Sequence, residues 1–500
     1  MSDLPSVAFR DLSYQYEGAT APLFTSLSAH LPKGFTGVLG ANGAGKSTLL
    51  NLLCGRLRPT TGLVEGAGEA VYCQQRTDDP PAELDTFLED WSAQGFRLRG
   101  RLQVEGDFAL RWNTLSHGER KRAQIACALW RQPDLLAIDE PTNHLDAAAR
   151  RLLIDALAGF RGVGVIVSHD RALLDELCVQ CIWLEPPGTR VYPGGYSSAR
   201  DQRQADREHR LAERDKASRA HRALEQEMAV RREKASQEHK LRSKRGLDRH
   251  DSDGREKIDR ARIADSKAGA ALRQMQGRER HAADRLDSTR IEKEYRTGVW
   301  LSAEPSRRDR LFALEAGDIA LGGQRVLRHP ALSMGPTDRI ALVGLNGAGK
   351  STLLSKIVGA IQAPVGQVIH MPQEVSADEA KCLLAQARAL PPAQLGEVMT
   401  AVSRLGSRPQ RLLETAQPSP GEIRKLLLAL GMTRSPQMLI MDEPTNHLDL
   451  PSIEALESAL LECPCGQFLV SHDLLFLERL ETVVWRIELD GEGNAEVVLP

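Results

Sequence analysis

An eight-residue string of acidic and polar residues, Asp-Glu-Pro-Thr-Asn-His-Leu-Asp, occurs twice in this 500-residue chain, at residues 139–146 and 442–449. Each copy follows an apolar run that is too short for a helix, which predicts a buried parallel strand. A strand ending in Asp-Glu places two carboxylates at the carboxyl edge of an α/β sheet, where ligands bind. Asp139 and Asp442 suit Mg²⁺ coordination, and the adjacent Glu140 and Glu443 could orient and deprotonate a water molecule.

Two glycine-rich segments upstream fit the P-loop pattern, each between a predicted strand and a predicted helix. In such a loop backbone N–H groups wrap phosphates, the lysine reaches the terminal phosphates, and the serine hydroxyl binds Mg²⁺. The predicted ATP-binding residues here are Gly40, Ala41, Asn42, Gly43, Ala44, Gly45, Lys46, Ser47 and Thr48 in the first copy, and Gly344, Leu345, Asn346, Gly347, Ala348, Gly349, Lys350, Ser351 and Thr352 in the second.

The two sets of motifs are copies of one domain. Lys46 and Lys350 are 304 positions apart, and Asp139 and Asp442 are 303 apart. This separation is far longer than the period of a solenoid repeat, so the sequence predicts duplicated domains. We predict a first nucleotide-binding cassette over residues 1–196, a linker over 197–308, and a second cassette over 309–500.

Further polar residues recur in the same order in both halves. A glutamine after a predicted strand, Gln75 or Gln373, could ligate Mg²⁺ or the attacking water. A Ser-x-Gly-Glu segment opens a predicted helix whose N-terminus suits an anion, with a plain N-cap as the alternative. Its residues are Ser116, Gly118 and Glu119 in the first half, and Ser419, Gly421 and Glu422 in the second.

Histidines and one tyrosine complete the candidate sites. His169 and His472 each stand in a Ser-His-Asp segment after a predicted β-branched or apolar strand, which places an imidazole at the same sheet edge. Tyr16, assigned with Tyr14 to an early strand, could stack on adenine, and ordinary sheet packing is the alternative.

The linker differs from both cassettes in charge. Residues 201–300 hold 27 lysines and arginines against 20 aspartates and glutamates, so this segment carries +7 and the chain total of −2 leaves −9 elsewhere. Apolar residues at helical spacing predict two antiparallel helices of about 40 residues, each about 60 Å long. The tip should lie near 243–254, where Arg242, Lys244, Arg245 and Arg249 predict RNA contact, and a solvated spacer is the alternative.

Composition places the protein in a reducing cytoplasm. No apolar run approaches 18 residues, and the first residues lack a basic-then-apolar signal segment, so a membrane-spanning or secreted protein is not expected. The eight cysteines are scattered. Cys178 and Cys181 have no second pair with which to complete a zinc site, so packed thiols are expected there.

The ordered set of P-loop, glutamine, Ser-x-Gly-Glu signature, Asp-Glu strand, Asn-His-Leu-Asp loop and histidine resembles an ATP-binding cassette. Glutamate in the signature, the repeated Glu-Pro-Thr-Asn-His-Leu-Asp and two cassettes on one chain resemble the ABC-F family. The resemblance implies a soluble, ribosome-associated ATPase that acts in translation or antibiotic protection. It also implies Mg²⁺, a monomer that pairs its cassettes head to tail around two ATP molecules, and a linker that approaches rRNA and P-site tRNA.

In that arrangement each ATP site takes its signature from the opposite cassette. Glu140 and Glu443 would be general bases, and His169 and His472 would hold the γ-phosphate. The second half departs from the family pattern, because Pro418 and Pro420 alter its signature and no aromatic residue corresponds to Tyr16. Neither the large arm insertion of the first cassette nor a C-terminal extension of some relatives is expected.

Two other functions fit the cassettes. The energising subunit of a transporter would use the same motifs, but it has no need for a charged hairpin of more than 100 residues. A DNA-associated cassette protein also uses coiled coils, which usually interrupt one cassette instead of joining two.

Overall fold

The computed structural model describes residues 6–19, 21–143, 145–185, 188–240, 274–287, 303–322, 325–364, 366–407, 409–415, 418–490 and 494–500. These residues divide into two compact units. The first comprises residues 1–199 and 295–500, and the second comprises residues 200–294. The domain boundaries drawn from the sequence stay predictions.

The first cassette contains two sheets. Its strands are β1 (Val7–Tyr14), β2 (Phe24–Leu31), β3 (Gly34–Leu39), β4 (Thr61–Glu65), β5 (Ala70–Cys73), β6 (Leu135–Asp139), β7 (Val163–Val167), β8 (Cys178–Glu185) and β9 (Gly188–Pro193). Its helices are α1 (Lys46–Leu53), α2 (Leu84–Leu88), α3 (Ala93–Leu102), α4 (His117–Trp130), α5 (Ala147–Leu157) and α6 (Arg171–Leu177). The main sheet has the order β5-β6-β7-β3-β8-β9, and a separate antiparallel sheet has the order β2-β1-β4.

The second cassette repeats this plan. Its strands are β10 (Phe312–Leu314), β11 (Gly317–Gly322), β12 (Arg325–His329), β13 (Leu332–Met334), β14 (Arg339–Gly344), β15 (Val368–Met371), β16 (Met438–Asp442), β17 (Gly466–Val470), β18 (Val483–Leu489) and β19 (Ala495–Val498). The linker contains α7 (Tyr196–Lys240) and α8 (residues 274–287). The helices of the second cassette are α9 (Lys350–Gly359), α10 (Ala377–Arg388), α11 (Pro392–Arg404), α12 (Pro409–Glu414), α13 (Pro420–Met432), α14 (Leu450–Glu462) and α15 (Leu474–Arg479).

The parallel core has the same strand order in both cassettes, which confirms the duplication predicted from the motifs. The order β15-β16-β17-β14-β18 matches β5-β6-β7-β3-β8, and all neighbours in both series pair in parallel. The apolar strands β6 and β16 are buried along their whole length. Both strands therefore carry their terminal aspartate to the same sheet edge as the P-loop.

The antiparallel strands of the second cassette are arranged differently from those of the first, and of its described strands only β10 and β13 form a separate two-stranded sheet. There the hairpin β11–β12 joins the main sheet, because β19 pairs in parallel with β12 and antiparallel with β18. The result is one eight-stranded sheet. In the first cassette β9 pairs antiparallel with β8 in the same way, but no ladder joins β9 to β2 within the described residues, so the two sheets stay separate.

The unit of residues 200–294 is a helical pair in its described part. The Nε2 atom of His221 lies 3.5 Å from Oε1 of Glu279, and Nη2 of Arg285 lies 3.9 Å from Oε2 of Glu213. Partners earlier on α7 therefore meet residues later on α8, which is the antiparallel pairing predicted from the sequence. The predicted tip near 243–254 lies outside the described residues. Among the helices that the structure describes, none is long and apolar enough to cross a bilayer.

Candidate active site

The two P-loops have the same local geometry. Gly45 and Gly349 precede α1 and α9 with φ values of 97° and 101°, in the left-handed region that favours glycine. A Cβ atom at Gly45 would lie 2.7 Å from Leu23, and one at Gly349 would lie 2.6 Å from Leu321. Within the described residues neither helix has a side-chain N-cap, so each begins at a glycine turn with its first N–H groups in the arrangement that binds phosphate.

The P-loop lysines fold back onto their own loops. Nζ of Lys46 donates to the carbonyl oxygens of Gly40 (2.8 Å) and Ala41 (3.1 Å). Nζ of Lys350 makes the same two bonds, to Gly344 and Leu345, at the same distances. Burial lowers the pKa of both lysines, and the nearby acidic side chains oppose this shift.

The glutamates that follow β6 and β16 adopt a strained backbone conformation. Glu140 has φ 46° and Glu443 has φ 48°. A non-glycine residue in the left-handed region costs roughly 1–3 kcal/mol and persists where the surrounding structure fixes it. Here the N–H of each glutamate donates to the last residue of the neighbouring strand, Val167 (2.8 Å) or Val470 (2.7 Å). This turn directs both side chains toward the site histidines.

Each glutamate lies against the histidine predicted for its own cassette. Nε2 of His169 is 3.0 Å from Oε1 of Glu140, and Nε2 of His472 is 3.5 Å from Oε1 of Glu443. The backbone N–H of each histidine also donates to the other carboxylate oxygen, at 3.3 Å. In the second cassette His472 Nε2 lies 3.1 Å from Nζ of Lys350 as well.

Burial is the main influence on these four groups. It raises the pKa of Glu140 to about 8, with Lys46 opposing, and the pKa of Glu443 to about 7, with the His472 N–H opposing. It lowers the pKa of His169 to about 3 and that of His472 to about 4, and the adjacent P-loop lysine adds to both shifts. Both shifts favour the neutral imidazole.

A buried basic side chain donates a hydrogen bond to the backbone of each Asp-Glu turn, and the sequence analysis did not predict it. Nζ of Lys121 donates to the carbonyl oxygen of Asp139 (3.1 Å), and Nη2 of Arg424 donates to that of Asp442 (2.7 Å). Both residues stand five positions after their signature serine. The signal was the recurrence of a basic residue on the otherwise apolar face of α4 and α13.

The signature residues form capping boxes. The hydroxyl of Ser116 accepts from the Glu119 N–H (3.3 Å), and the Glu119 carboxylate accepts from the Ser116 N–H (2.8 Å). Ser419 and Glu422 repeat this pattern. A Cβ atom at Gly118 would lie 2.9 Å from Leu145, and one at Gly421 would lie 2.5 Å from the His447 carbonyl oxygen. The N-cap considered for this segment is therefore present, and pairing of each signature with the opposite P-loop stays a prediction.

The remaining predicted ligands surround the P-loops. The hydroxyl groups of Tyr16 and Thr48 are 2.7 Å apart, so Tyr16 lies beside the first P-loop, although β1 ends at Tyr14 and not at Tyr16 as assigned from the sequence. Gln75 and Gln373 each lie two positions after β5 and β15, and both are exposed.

A cavity of about 570 Å³ lies between the cassettes at the second P-loop. The second cassette contributes the predicted Asn346, Gly347, Gly349, Lys350, Ser351, Thr352, Gln373, Asp442, Glu443 and His472. The first cassette contributes Asn143, Arg150 and His169. The cavity has room and cationic groups for a nucleotide, and residues of both cassettes line it.

The first P-loop is in contact with the other cassette. The backbone N–H of Asn42 donates to Oδ2 of Asp449 (2.6 Å), and the Asn42 side chain lies 3.5 Å from the His447 carbonyl oxygen. Asp449 is the last residue of the second copy of the repeated eight-residue string. The Asp449 carboxylate therefore accepts a hydrogen bond from an N–H group that would bind phosphate in the P-loop pattern.

Comparison with known proteins places this architecture in a family. Residues 24–143 and 327–446 each match the family model described as ABC transporter. The chain is also 30% identical to the ATP-binding protein Uup of Caulobacter vibrioides, over 98% of this chain and 78% of the relative. The chain belongs to the ABC-F family of ATP-binding cassette proteins.

Two further similarities extend across this ABC-F chain. It is 28% identical to the ribosome protection protein VmlR of Bacillus subtilis, over 95% of this chain and 85% of that one. A crystal structure of archaeal ribosome recycling factor aABCE1 with the stalk protein aP1 matches the fold with a TM-score of 0.61 and 18% identity. The match covers 97% of this chain and 89% of that one.

The residues present at both sites of the ABC-F chain fit a Mg²⁺-bound nucleotide. Oε1 of Glu140 and Oε1 of Glu443 are buried, and although each lies near the Nε2 atom of its histidine, neither accepts a well-aligned hydrogen bond within the described ranges. The Tyr72 hydroxyl donates to Oδ2 of Asp139 (3.1 Å), which orients that carboxylate toward the sheet edge. Carboxylate, hydroxyl and amide oxygens are the ligands that Mg²⁺ prefers. The predicted RNA contacts Arg242, Lys244, Arg245 and Arg249 lie outside the described residues.

Proposed function

We propose that this protein binds and hydrolyses ATP at two sites formed between its cassettes, and that ATP-driven closure controls its binding to the ribosome. The cavity at the second P-loop carries this proposal, because residues of both cassettes line it. A nucleotide there would contact both halves of one chain, so its binding and hydrolysis would change how tightly they close.

At the second site Lys350 exchanges its two carbonyl bonds for the terminal phosphates. Glu443 takes a proton from the attacking water, and His472 holds the γ-phosphate in line with that water. Ser351, Asp442 and Gln373 would hold Mg²⁺, which when bound neutralises charge between the β- and γ-phosphates. Arg150 of the first cassette lines the same cavity and brings a positive charge toward the phosphates.

At the first site Lys46, Glu140 and His169 have the same roles, with Ser47, Gln75 and Asp139 as the Mg²⁺ ligands. Tyr16 lies beside the loop at Thr48 and offers an aromatic face for adenine. ATP there must displace Asp449 from the Asn42 N–H, since one N–H cannot serve the carboxylate and a phosphate together.

The relatives support the ribosome as the partner. VmlR is named a ribosome protection protein, and the related protein from Mycobacterium tuberculosis is named an energy-dependent translational throttle. We propose that the helical linker contacts rRNA or tRNA through phosphates, since it carries the chain's excess of positive charge. Translation regulation and antibiotic protection both fit such a factor.

The test is co-sedimentation of a hydrolysis-defective protein with purified ribosomes. Protein carrying Glu140→Gln and Glu443→Gln should pellet with ribosomes in ATP and stay in the supernatant in ADP. Replacing Arg242, Lys244, Arg245 and Arg249 by Gln should weaken that binding and reduce the log–log salt slope by up to about 3. Failure of the locked protein to pellet with ribosomes would refute the proposed function.

A further inference from the structure

Helix α3 of the first cassette leaves two large aromatic side chains open to solvent. Trp91 is 83% exposed and Phe96 is 67% exposed. By contrast Trp112, Trp183 and Trp485 are almost fully buried. Exposed aromatic side chains that lie together mark interaction sites more often than they mark random surface. Neither residue belongs to the ATP sites.

The two aromatic residues lie close in sequence, on either side of the first turn of the helix. Ser92 is the N-cap, so Trp91 and Phe96 occupy the N′ and N4 positions, which commonly pack together as a hydrophobic staple. Here the exposure of both side chains shows that most of each ring is uncovered. The Arg99 guanidinium lies 5.3 Å from the centre of the Trp91 ring, so a flat cationic group extends the aromatic surface.

Two of the three arginines on this helix form no ion pair within the described part of the chain. Arg97 and Arg101 are exposed one turn apart and form no ion pair with any residue that the structure describes. Arg99 donates to the backbone carbonyl oxygens of Leu88 and Asp90. The Asp90 carboxylate accepts from the Ser92 hydroxyl (2.6 Å) and from the Trp130 indole N–H (2.6 Å). The charge of this helix is therefore available to an anionic partner.

The centre of the same face has no side chain. Gly100 lies between Phe96 and Arg97 on the helical projection, with Arg101 beyond Arg97 and Arg99 beyond Phe96, and a Cβ atom there would meet nothing within 4 Å. Glycine weakens a helix interior relative to alanine, and no close packing around Gly100 requires it. A smooth centre flanked by aromatic rings and arginines lets a flat group approach the helix backbone.

We propose that this face of α3 binds unpaired RNA nucleotides, with bases stacked on Trp91 and Phe96 and phosphates on Arg97 and Arg101. The α3 surface is defined by Trp91, Phe96, Arg97, Arg99, Gly100 and Arg101, and it extends around about half of the helix circumference. Aromatic and guanidinium planes beside unpaired cations are how proteins hold looped RNA. The inference rests on the proposed function only in taking ribosomal RNA as the source of those nucleotides.

The test uses full-length protein carrying Glu140→Gln and Glu443→Gln, with two probes. One probe is a fluorescein-labelled single-stranded RNA oligonucleotide followed by anisotropy, and the other is purified ribosomes followed by pelleting. The variants are Trp91→Ala with Phe96→Ala, and Arg97→Gln with Arg101→Gln. A matched control, Arg10→Gln with Arg58→Gln, removes two exposed charges elsewhere on the same cassette. Nucleotide binding of each variant confirms that it is folded.

The aromatic variant should lose about 5- to 150-fold in oligonucleotide affinity for each base that stacks. The arginine variant should reduce the log–log salt slope by about 1.4, since each single-strand phosphate contact contributes about 0.7. The control should change neither quantity. Gly100→Leu, which fills the centre of the face, should weaken binding while Gly100→Ala preserves it.

Three outcomes would overturn the inference. The first is that the parent protein does not bind the oligonucleotide, and the second is that the α3 variants bind it as tightly as the control. The third is that the variants lose ribosome binding alone, which would assign the surface to a ribosomal protein. If the parent fails to pellet with ribosomes, the proposed function fails, and the oligonucleotide measurement still decides what the α3 surface binds.

Discussion

The two P-loops share their sequence pattern, their glycine geometry and their lysine contacts, yet their surroundings differ. The second loop opens onto a cavity of about 570 Å³. The first has its Asn42 N–H bonded to Asp449 of the opposite cassette (2.6 Å). Asp146, the first-cassette equivalent of Asp449, accepts from the Ala149 N–H (2.8 Å), and none of the described contacts joins it to Asn346. Identical motifs therefore form two different sites.

Residues outside the motifs account for this difference. In the second cassette Lys425 Nζ donates to the Ser452 hydroxyl (2.6 Å), and that hydroxyl and the Ser452 N–H both donate to Oδ1 of Asp449. Oδ2 is then left to face Asn42. The equivalents 303 positions earlier are Arg122 and Ala149. Ala149 has no hydroxyl group, and Arg122 donates to the Leu102 carbonyl oxygen instead.

The interface between the cassettes is also asymmetric, because equivalent positions outside the motifs hold different residues. The guanidinium of Arg171 is buried and bonds Glu457 (2.6 Å) and Asp473 (3.0 Å) of the second cassette. The equivalents of Arg171 and Glu457 are Leu474 and Ile154, which form no ion pair. One pseudo-symmetric half of the interface is thus held by a buried ionic network and the other is not.

The largest effect is expected when the glutamate that the two sites share is replaced in both of them. Glu140→Gln together with Glu443→Gln should lower steady-state ATP turnover by about 10²–10⁴-fold, because glutamine keeps the shape but cannot accept the proton of water. Equilibrium binding of a fluorescent ATP analogue should remain. Turnover close to that of the parent protein would remove both glutamates from the general-base role.

The next largest effect is expected from a substitution at the asymmetric interface between the cassettes. Arg171→Leu copies the residue of the second cassette and leaves Glu457 and Asp473 with one cation fewer in a buried place. The free energy of unfolding in urea should fall by about 3 kcal/mol, as for other buried ion pairs that lose one partner. Arg150→Leu, which disrupts the more exposed pair with Asp170, should cost less. An equal cost for both would show that burial of Arg171 has no special weight.

A smaller effect concerns Asp449 alone. In a Lys350→Met background, where only the first site binds nucleotide tightly, Asp449→Asn should tighten ATP binding by about 10-fold. It removes an anionic competitor from the Asn42 N–H, and bonds to charged groups contribute about 1.5–3 kcal/mol. Asp146→Asn is the matched control and should leave that affinity within about 2-fold. Weaker binding in Asp449→Asn would mean that the carboxylate supports the loop for ATP.

Local patterns predicted most of the fold and the lining of the sites. The strands β6, β7, β14 and β16 lie where the sequence predicts strands before the Asp-Glu pairs, the first Ser-His-Asp segment and the second P-loop, since short apolar runs specify buried strands locally. The contact of Asn42 with Asp449 and that of Arg171 with Glu457 were not predictable. They join residues 407 and 286 positions apart, and depend on how two packed cassettes meet.

Pro420 shows that the effect of a missing backbone N–H depends on the position of the proline in its helix. Taken from the sequence alone, its missing N–H predicts a weaker signature opposite the first site and slower turnover there. In the structure Pro420 is the first residue of α13, where proline is favoured because that N–H has no partner within the helix. The capping box around it is intact. The asymmetry expected between the sites remains a prediction, now with Asp449 as its main physical cause.

The central claim is that the second site carries most of the turnover because its cavity is open while Asp449 holds the first P-loop. Steady-state ATPase rates of the single variants Glu443→Gln and Glu140→Gln test it most directly. The account predicts that Glu443→Gln approaches the loss of the double variant, and that Glu140→Gln retains the larger part of the activity. Equal losses, or a greater loss in Glu140→Gln, would contradict it.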